Sequence, residues 1–480
     1  MSDSSRRAMP LALAVGLLLL YFFTRVMTLP SFPPFVDEAF HINFGNLVRE
    51  QGLFARAEEG RQFTIWLYVA VQSQVGGAPI FVARAATILA ILPGIAAAMA
   101  AAQVLGGGWS GVLAALLLTF STFHLFFDRL ALADPISASA ALVAVYFAAR
   151  LRVRAHRLDA ALCGLALFVA VGAKVSALPY LAVPLAAALT LKPPGRAWRE
   201  HVRWAGIALA ISIGLTTLFL GALILRGVNP FFYLQSPSSA AQGAYLDKLL
   251  LVPDTLFGYA GPVMGALLLT GLVVLLVRRQ FFLPLLVGAP LLVLALSGRQ
   301  DSRHIIVPIS LILVSAAVAV EWVSLRHALM IRRVALTLVL VWAALVWAPF
   351  AAALVSDPLA LALTASDRGE YITAEGSGFG LAEALGVLES EGAERVIGVL
   401  ANCLSLRYSA GDLEVDCPRL NPNGEDVPAL EALLEANRQT GVYAILEAIP
   451  YAPESAPGLL VATIEGAPGR PLLRVYALGG

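Results

Sequence analysis

Long apolar runs recur through the first three quarters of the chain, and they constrain its fold more than any other feature. A helix of about 20 apolar residues spans the hydrocarbon core of a bilayer. The sequence predicts about eleven such transmembrane helices, at 8–29, 80–105, 110–126, 131–149, 159–173, 175–191, 204–225, 255–277, 281–297, 304–324 and 334–355. The expected fold class is therefore a mostly α-helical, polytopic membrane protein.

The composition excludes several other classes of protein. Hydrophobic residues make up 59% of the 480 residues and charged residues 14%, whereas a soluble domain is about 25% charged. A disordered chain and a small disulfide-rich secreted module are excluded. The 33 Lys and Arg residues balance 32 Asp and Glu residues, so there is no basic surplus for a nucleic acid. The few charged residues beside the apolar runs become candidates for function.

The distribution of basic residues predicts how the chain is oriented. Short loops rich in Lys and Arg face the cytoplasm. Such residues flank the predicted spans at Arg6, Arg7, Arg150, Arg152, Arg154, Arg157, Lys192, Arg196, Arg199, Arg203, Arg278, Arg279, Arg326, Arg332 and Arg333. This pattern predicts a cytoplasmic N-terminus and, with an odd number of spans, an external C-terminus. The first run is long and is predicted to be retained as a helix rather than cleaved as a signal peptide.

Two segments interrupt the apolar runs and predict a division into a transmembrane module, 1–355, and a small external α/β domain, 356–480. In the first external loop, 30–79, amphipathic stretches at 38–52 and 61–75 are predicted to be helices in the membrane interface. The external domain alternates helices and strands. Its helices are expected at 379–391 and 428–439 and its strands at 394–401, 441–449, 459–465 and 471–478. Cys163 is expected in the core, while Cys403 and Cys417 are candidates for a disulfide, which their spacing alone leaves open.

Adjacent carboxylates open the first external loop. If 38–52 is helical, Glu38 and His41 share a face because they are three residues apart, and Asp37 is placed to cap the helix. A capping role is one interpretation. The other is a general base at the membrane surface, or a metal site that includes His41.

Three further charged clusters are predicted at the same external side. Asp128 and Arg129 precede Asp134, and Pro135, the residue after it, suits the first position of a helix. Asp134 either caps that helix or faces a cavity shared with Asp37. Lys174 lies in a tight hairpin between two short spans and either snorkels or binds a lipid phosphate. The loop containing Arg299, Arg303 and His304 is either solvated or an anion clamp. Together, these groups suit a lipid-phosphate leaving group and an acceptor that must lose a proton.

These segments resemble motifs of the GT-C glycosyltransferases. The resemblance covers roughly residues 1–325 and is greatest to the protein O-mannosyltransferases and the lipid A aminoarabinose transferases. The matching segments are Val36–Ala39, Arg129–Pro135, Gly172–Pro179 and Arg303–Pro308. Tyr371–Gly380 resembles a segment that follows the last helix in bacterial relatives, and its glycines are expected to form a turn before a helix.

The resemblance implies a membrane enzyme that moves a sugar, with inversion, from a polyprenyl-phosphate donor to a lipid, glycan or protein acceptor at the external face. Asp37 would be the catalytic base, with Glu38 and Asp134 as further catalytic carboxylates. Lys174 and Arg303 match positions that face the donor phosphate, and Arg129, Arg299 and His304 are expected to surround it with them. Asp128 is a further candidate for substrate binding. A divalent metal ion (Mg²⁺, Mn²⁺ or Zn²⁺) held by Asp37, Asp134 and His41 stays open.

The chain departs from the resemblance at two places, and other functions stay open. Residues 59–66 replace a His-Pro-Pro segment that many relatives carry, and His304 stands where an Arg-Tyr segment is expected. A Trp-Trp-Asp motif is absent from the sequence, which argues against transfer of a whole glycan to Asn. The alternatives are a transporter or flippase for lipid-linked sugars, which would show paired halves, and a non-catalytic subunit that binds a partner through its external domain.

Overall fold

Apolar helices dominate the computed structural model, which describes residues 11–72, 78–107, 109–191, 198–232, 245–296, 301–323, 328–421 and 423–479. In the membrane part the α-helices are α1 (Leu11–Val26), α2 (Val36–Gln51), α3 (Gln62–Gln72), α4 (Pro79–Gly106), α5 (Ser110–Thr119), α6 (Thr122–Phe127), α7 (Ala133–Arg154), α8 (Arg157–Ala173), α9 (Val183–Thr190), α10 (Trp198–Leu225), α11 (Tyr245–Ala260), α12 (Pro262–Val277), α13 (Phe282–Leu296), α14 (Ile306–Val323), α15 (Ala328–Trp342) and α16 (Ala348–Ser356).

The chain is an integral membrane protein. Among the described residues, six helical segments are long and apolar enough to cross a bilayer, and a seventh is counted if α12 and α13, which are bent by 115°, form one span. The six are Leu11–Ser31, Pro79–Gly106, Ala133–Arg154, Trp198–Leu225, Ser302–Val323 and Leu329–Ser356. The coarse prediction of a polytopic helical protein is confirmed, while a count of eleven spans stays a prediction.

Three of the predicted spans are not continuous α-helices. The run 110–126 is broken between α5 and α6, where Arg25 donates to the buried carbonyls of Leu118 at 3.0 Å and Thr119 at 2.8 Å. Those carbonyls end α5, and a buried guanidinium satisfies them where water cannot reach. The run 255–277 is broken at Gly261, whose φ of +77° ends the helix before it. The run 175–191 begins as a 3₁₀ helix, Val175–Ala182, and becomes α9.

The first loop contains the two expected helices, α2 and α3, although the prediction that Asp37 caps α2 is wrong. The helix begins at Val36 and the residue before it is Phe35. The Glu38 carboxylate accepts the Phe35 backbone N–H at 2.9 Å, so the carboxylate that satisfies the helix start is the next one along the chain. The predicted cap at Asp134 is also wrong, because α7 begins at Ala133 after Leu132.

The C-terminal part contains a five-stranded mixed sheet. The elements after α16 are α17 (Ala365–Arg368), α18 (Leu381–Ser390), β1 (Arg395–Val399), α19 (Cys403–Ser409), β2 (Glu414–Asp416), α20 (Val427–Ala436), β3 (Val442–Glu447), β4 (Leu459–Ile464) and β5 (Leu473–Ala477). The strand order is β2-β1-β3-β5-β4, with β1, β2 and β3 parallel and β5 antiparallel to both its neighbours.

Both faces of the sheet carry helices. Leu381, Leu388 and Leu406 of α18 and α19 pack on one face, and Leu430 and Leu434 of α20 pack on the other. The four predicted strands and two predicted helices are present, whereas α19 and the short edge strand β2 were not predicted. A disulfide joins Cys403 to Cys417, with Cα atoms 5.6 Å apart, and therefore links α19 to the segment after β2.

Candidate active site

Four charged residues meet where helices of the membrane part begin or end, although they are far apart in sequence. Asp37 lies in the first turn of α2 and Asp134 in the first turn of α7. Lys174 directly follows α8, and Arg303 lies just before α14. Helices α7 and α8 form an antiparallel hairpin, so the start of one lies beside the end of the other. We call these four residues the ion-pair cluster.

Two short ion pairs hold the cluster together. Arg303 Nη1 lies 2.5 Å from Asp37 Oδ2, and Lys174 Nζ lies 2.5 Å from Asp134 Oδ1. Asp134 is also within electrostatic range of Arg303 and His304, which places both pairs in one site. The Asp37 side chain is 20% exposed and those of the other three are below 10%, so the site is largely shielded from water and its charges interact strongly.

Arg303 lies among several carboxylates. Its guanidinium is 3.1 Å from Asp301 and 3.3 Å from Glu370 in addition to its bond to Asp37. His304 Nδ1 is 3.9 Å from Asp301. Burial raises the pKa of Glu370 to about 8 against the opposing effect of Arg303. At neutral pH the anionic partners of Arg303 are therefore Asp37 and Asp301, so the arginine stays charged and has two anions to choose between.

His41 and Arg61 line the site next to Asp37. His41 Nδ1 donates to the Ala131 carbonyl at 2.8 Å, and its Nε2 accepts from Arg61 at 2.7 Å. A guanidinium only donates, so the imidazole is assigned as neutral. Burial, followed by the charge of Arg61, lowers the pKa of His41 to about 4. Arg61 was not predicted from the sequence, yet it brings a third cation within range of Lys174.

The electrostatics of Asp37 are set by its neighbours. Burial by itself raises the pKa of this carboxyl, but Arg303 and then Arg61 and His41 outweigh it and hold the pKa below the usual range. Asp37 is therefore ionised in this arrangement. Its basicity depends on the cations beside it, and anything that draws Arg303 away makes Asp37 a stronger base.

Glu38 has a different environment from its neighbour. Its side chain is fully buried and its carboxylate accepts from Arg84 Nε at 2.8 Å, Arg84 Nη2 at 2.7 Å and the Ala131 backbone N–H at 2.8 Å. Glu38 and His41 both bond to the Ala131 backbone, which confirms that they share a helix face. These contacts favour a structural role for Glu38 over the catalytic role expected from the sequence.

Asp128 and Arg129 lie in the packed interior. Asp128 accepts from Tyr21 and from His124 Nδ1. Arg129 donates to the Thr28 carbonyl at 2.7 Å. Both side chains are almost completely buried, so the structure favours packing roles over the predicted roles in substrate binding. Arg299 lies outside the described residues.

The residues expected to bind a metal ion do not fit one. Both His41 nitrogens have hydrogen-bond partners, and Asp37 and Asp134 each have a cation at 2.5 Å. Within the described ranges, no group of three His, Cys, Asp or Glu side chains is arranged to hold a metal. The metal site stays a prediction that these contacts do not support.

Comparison with known proteins rests on structure, since no protein-family profile matches the chain and no curated protein matches it. The crystal structure of ArnT from Cupriavidus metallidurans bound to undecaprenyl phosphate aligns with a TM-score of 0.65 at 16% identity, covering 98% of each chain. The protein has the GT-C glycosyltransferase fold. The similarity extends through the C-terminal sheet, beyond the roughly 325 residues over which the sequence resembles these enzymes.

The GT-C fold is also found in more distant structures. The oligosaccharyltransferase of Archaeoglobus fulgidus, in complex with Zn and sulfate, aligns with a TM-score of 0.54 at 12% identity, covering 91% of this chain and 68% of that one. AglB from the same organism, in complex with an inhibitory peptide and a dolichol-phosphate, aligns with a TM-score of 0.52 at 13% identity, covering 91% and 69%. These likenesses establish the fold of the chain.

Proposed function

We propose that the protein is a membrane glycosyltransferase that moves a sugar from a polyprenyl-phosphate donor to an acceptor, with Asp37 as general base. The observation that carries this proposal is the ion-pair cluster, which places a carboxylate with an exchangeable partner beside cations suited to a phosphate. The fold supports it, because ArnT has this fold and was crystallised with undecaprenyl phosphate.

The donor phosphate is expected to bind Lys174 and Arg303. Both cations are neutralised by carboxylates in the structure, and the singly charged phosphodiester of the donor competes for them with charge-assisted hydrogen bonds of its own. Arg61 supplies further positive charge nearby. Donor binding therefore gives Lys174 and Arg303 a phosphate partner in place of their carboxylate partners.

The same exchange activates the base. When Arg303 turns to the phosphate, Asp37 loses the strongest charge that lowers its pKa and becomes able to accept the proton of an acceptor hydroxyl or amine. The acceptor atom then bonds to the anomeric carbon as the bond from that carbon to the phosphate oxygen breaks. The polyprenyl phosphate leaves with the bonding electrons, stabilised by Lys174 and Arg303, and the anomeric configuration inverts.

We place the reaction at the external face. The ion-pair cluster lies at the ends of α7 and α8 opposite to the basic residues Arg152, Arg154 and Arg157, which the Lys and Arg bias assigns to the cytoplasm. The sheet domain is on the same side as the cluster, because its α19 contacts the first loop through Tyr408 and Asn46. The acceptor would be a lipid, a glycan or a protein reached from that side.

The test is a transfer assay on the full-length protein in nanodiscs with a panel of polyprenyl-phosphate hexoses and pentoses and membrane extract as acceptor. Release of free polyprenyl phosphate is measured by mass spectrometry. Asp37→Asn should lower the rate by about 10²- to 10⁴-fold without loss of membrane insertion. Asp412→Asn, which changes an exposed aspartate of the external domain, is the matched control and should keep the full rate.

Two outcomes would contradict the proposal. A fully active Asp37→Asn variant would remove the assigned base. Movement of the intact lipid-linked sugar between leaflets, with no release of polyprenyl phosphate, would instead identify a flippase.

A further inference from the structure

The glycine-rich segment 374–380 joins the external domain to the backbone that carries Asp37. The Gly376 carbonyl accepts from the Val36 N–H at 3.0 Å, and Val36 is the residue directly before Asp37. A Cβ atom on Gly378 would lie 2.4 Å from the Pro34 carbonyl oxygen and 2.9 Å from its nitrogen. Since backbone atoms cannot give way as a side-chain tip can, this contact requires glycine at 378.

The Asn402 side chain joins the same two backbone segments, the first loop and the glycine-rich segment. Its Nδ2 donates to the Pro34 carbonyl at 3.0 Å and to the Gly376 carbonyl at 3.0 Å. The side chain is completely buried and follows β1, at the carboxyl end of a central strand. One amide group therefore joins the external sheet, the glycine-rich segment and the first loop. Its contact with the first loop is at Pro34, three residues before Asp37.

A buried ion pair, Glu447 with Arg470, contacts both the turn before Asn402 and the end of the glycine-rich segment. Glu447, the last residue of β3, accepts from the Ala401 N–H at 2.8 Å and from Arg470 at 3.1 Å. Arg470 also donates to the Phe379 carbonyl. Neither charged side chain is exposed. The ion pair thus fixes the turn that carries Asn402 and the far end of the glycine-rich segment at the same time.

The topology explains why the contact forms at this place. From β1 the chain connects to β2 on one side, and from β2 it crosses over to β3 on the other side of β1. The direction of the connections therefore reverses between β1 and β3. Open α/β sheets leave a crevice beyond the carboxyl ends of the strands at such a point, where ligands usually bind. Here Ala401 and Asn402 lie at that edge with Glu447, and the protein's own segment 374–380 is bound to them.

We infer that the external domain positions the catalytic base, with Asn402 and Gly378 as positioning residues that hold the backbone before Asp37. This inference rests on the proposed function of Asp37. Lys174 and Arg303 stand on other elements, so displacement of the first loop changes the placement of the base more than it changes the binding of a phosphate. The expected signature is a loss of turnover at unchanged donor affinity.

Gly378→Ala and Asn402→Ala test the inference in the full-length protein in nanodiscs. Each should lower kcat by roughly 10- to 100-fold, since small misplacements of a reacting group have effects of this size, while the affinity for undecaprenyl phosphate is unchanged. Hydrogen exchange at the amides of residues 35–38 should become faster. Gly376→Ala should act in the same direction but more weakly, because its Cβ would meet the Val36 Cγ1 atom at 2.8 Å rather than backbone.

Matched controls come from the same domain. A Cβ atom on Gly386 of α18 meets nothing within 4 Å, so Gly386→Ala should keep wild-type turnover and exchange. Asn437→Ala removes an amide that bonds Arg395 and Leu433 inside the external domain, and it should also leave the first loop unchanged. If Gly378→Ala does not accumulate in membranes, Asn402→Ala, which adds no atoms, carries the test.

Two results would overturn the inference. Wild-type kcat and wild-type exchange at residues 35–38 in Asn402→Ala would show that the Asn402 side chain does not position the loop. A parallel loss of turnover, donor affinity and melting temperature would show that this side chain only supports the fold. Failure of the proposed function is distinguishable, because an active Asp37→Asn variant would leave the exchange result standing.

Discussion

Asp37 and Glu38 are adjacent in α2, but their carboxylates have contrasting surroundings. Asp37 belongs to the ion-pair cluster, is 20% exposed and is held by Arg303. Glu38 is fully buried with Arg84 and accepts four N–H groups in all. Successive helix residues point about 100° apart because a turn contains 3.6 residues, so adjacent side chains enter different environments.

The difference shows what separates a catalytic carboxylate from a structural one. Protonation of Glu38 would break bonds that join α2, α4 and the segment just before α7. Asp37 is bound mainly by a cation that a phosphate can also bind, and therefore it can be released without unfolding its surroundings. A buried ion pair is a suitable reaction centre only where a ligand can replace one of its partners.

The largest expected effect is on the stability of the fold, and it tests the contrast between Glu38 and Asp37. Glu38→Gln leaves the buried Arg84 guanidinium without its counter-charge and should lower the free energy of unfolding by about 3–5 kcal/mol. Asp37→Asn should melt like the wild type, since Asp301 still provides Arg303 with a negative charge. Thermal unfolding in detergent measures both.

A wild-type melting temperature for Glu38→Gln, together with lost transfer activity, would break the comparison and move Glu38 into the chemistry. Asp412→Asn serves as the control for a carboxylate change at the surface.

The next largest effects concern donor affinity and should have opposite signs. Lys174→Met removes a phosphate partner, whereas Asp134→Asn frees Lys174 from its ion pair. With charged hydrogen bonds worth about 1.5–3 kcal/mol, undecaprenyl phosphate should bind roughly 10-fold or more weakly to the first variant and correspondingly more tightly to the second. Binding is measured in nanodiscs of neutral lipid.

Asp416→Asn, which breaks an ion pair with Arg395 in the external domain, should leave that affinity unchanged. Weaker binding in both Lys174→Met and Asp134→Asn would mean that the pair acts as a unit and that the phosphate does not displace Asp134.

The smallest expected effect is a pH dependence in the external domain. Burial raises the pKa of Glu447 to about 7, with Arg470 opposing and Glu375 adding to the rise. A carboxyl whose folded pKa exceeds its unfolded value of 4.5 stabilises the fold below about pH 4.5 and loses that contribution as the pH rises through 7. The melting temperature should therefore fall between pH 5 and 8.

Glu447→Gln should flatten this slope, whatever its effect on the absolute melting temperature. Glu454→Gln, an exposed position of the same domain, should retain the wild-type slope. An unchanged slope in Glu447→Gln would assign the pH dependence to other groups.

The sequence predicted much of the fold and part of the site. Long apolar runs predicted the membrane helices, and β-rich runs predicted four of the five strands, because these patterns are local. The strand Glu414–Asp416 is too short to form a pattern. The breaks after Thr119 and at Gly261 were missed, because an unbroken apolar run does not report where a distant Arg25 satisfies free carbonyls.

Residue type was sufficient to select candidates but not to assign them. Asp37 and Glu38 look equivalent in the sequence, and Arg129 looks as available as Arg303. Arg61 is not predicted by the resemblance because it lies in residues 59–66, which depart from it, although an arginine beside an amphipathic helix is a usable signal. Glu370 gave no local signal, since its partner Arg303 is 67 positions away.

The sequence by itself determined that this is a helical membrane protein with a C-terminal α/β part, because hydrophobic burial and backbone hydrogen bonding follow local patterns. Only the tertiary structure decided which charges meet. It paired Asp37 with Arg303, sealed Glu38 against Arg84 and brought Asn402 to the backbone before Asp37. The physical reason is that electrostatic and hydrogen-bond energies depend on distances across the fold, and the order of residues along the chain does not contain those distances.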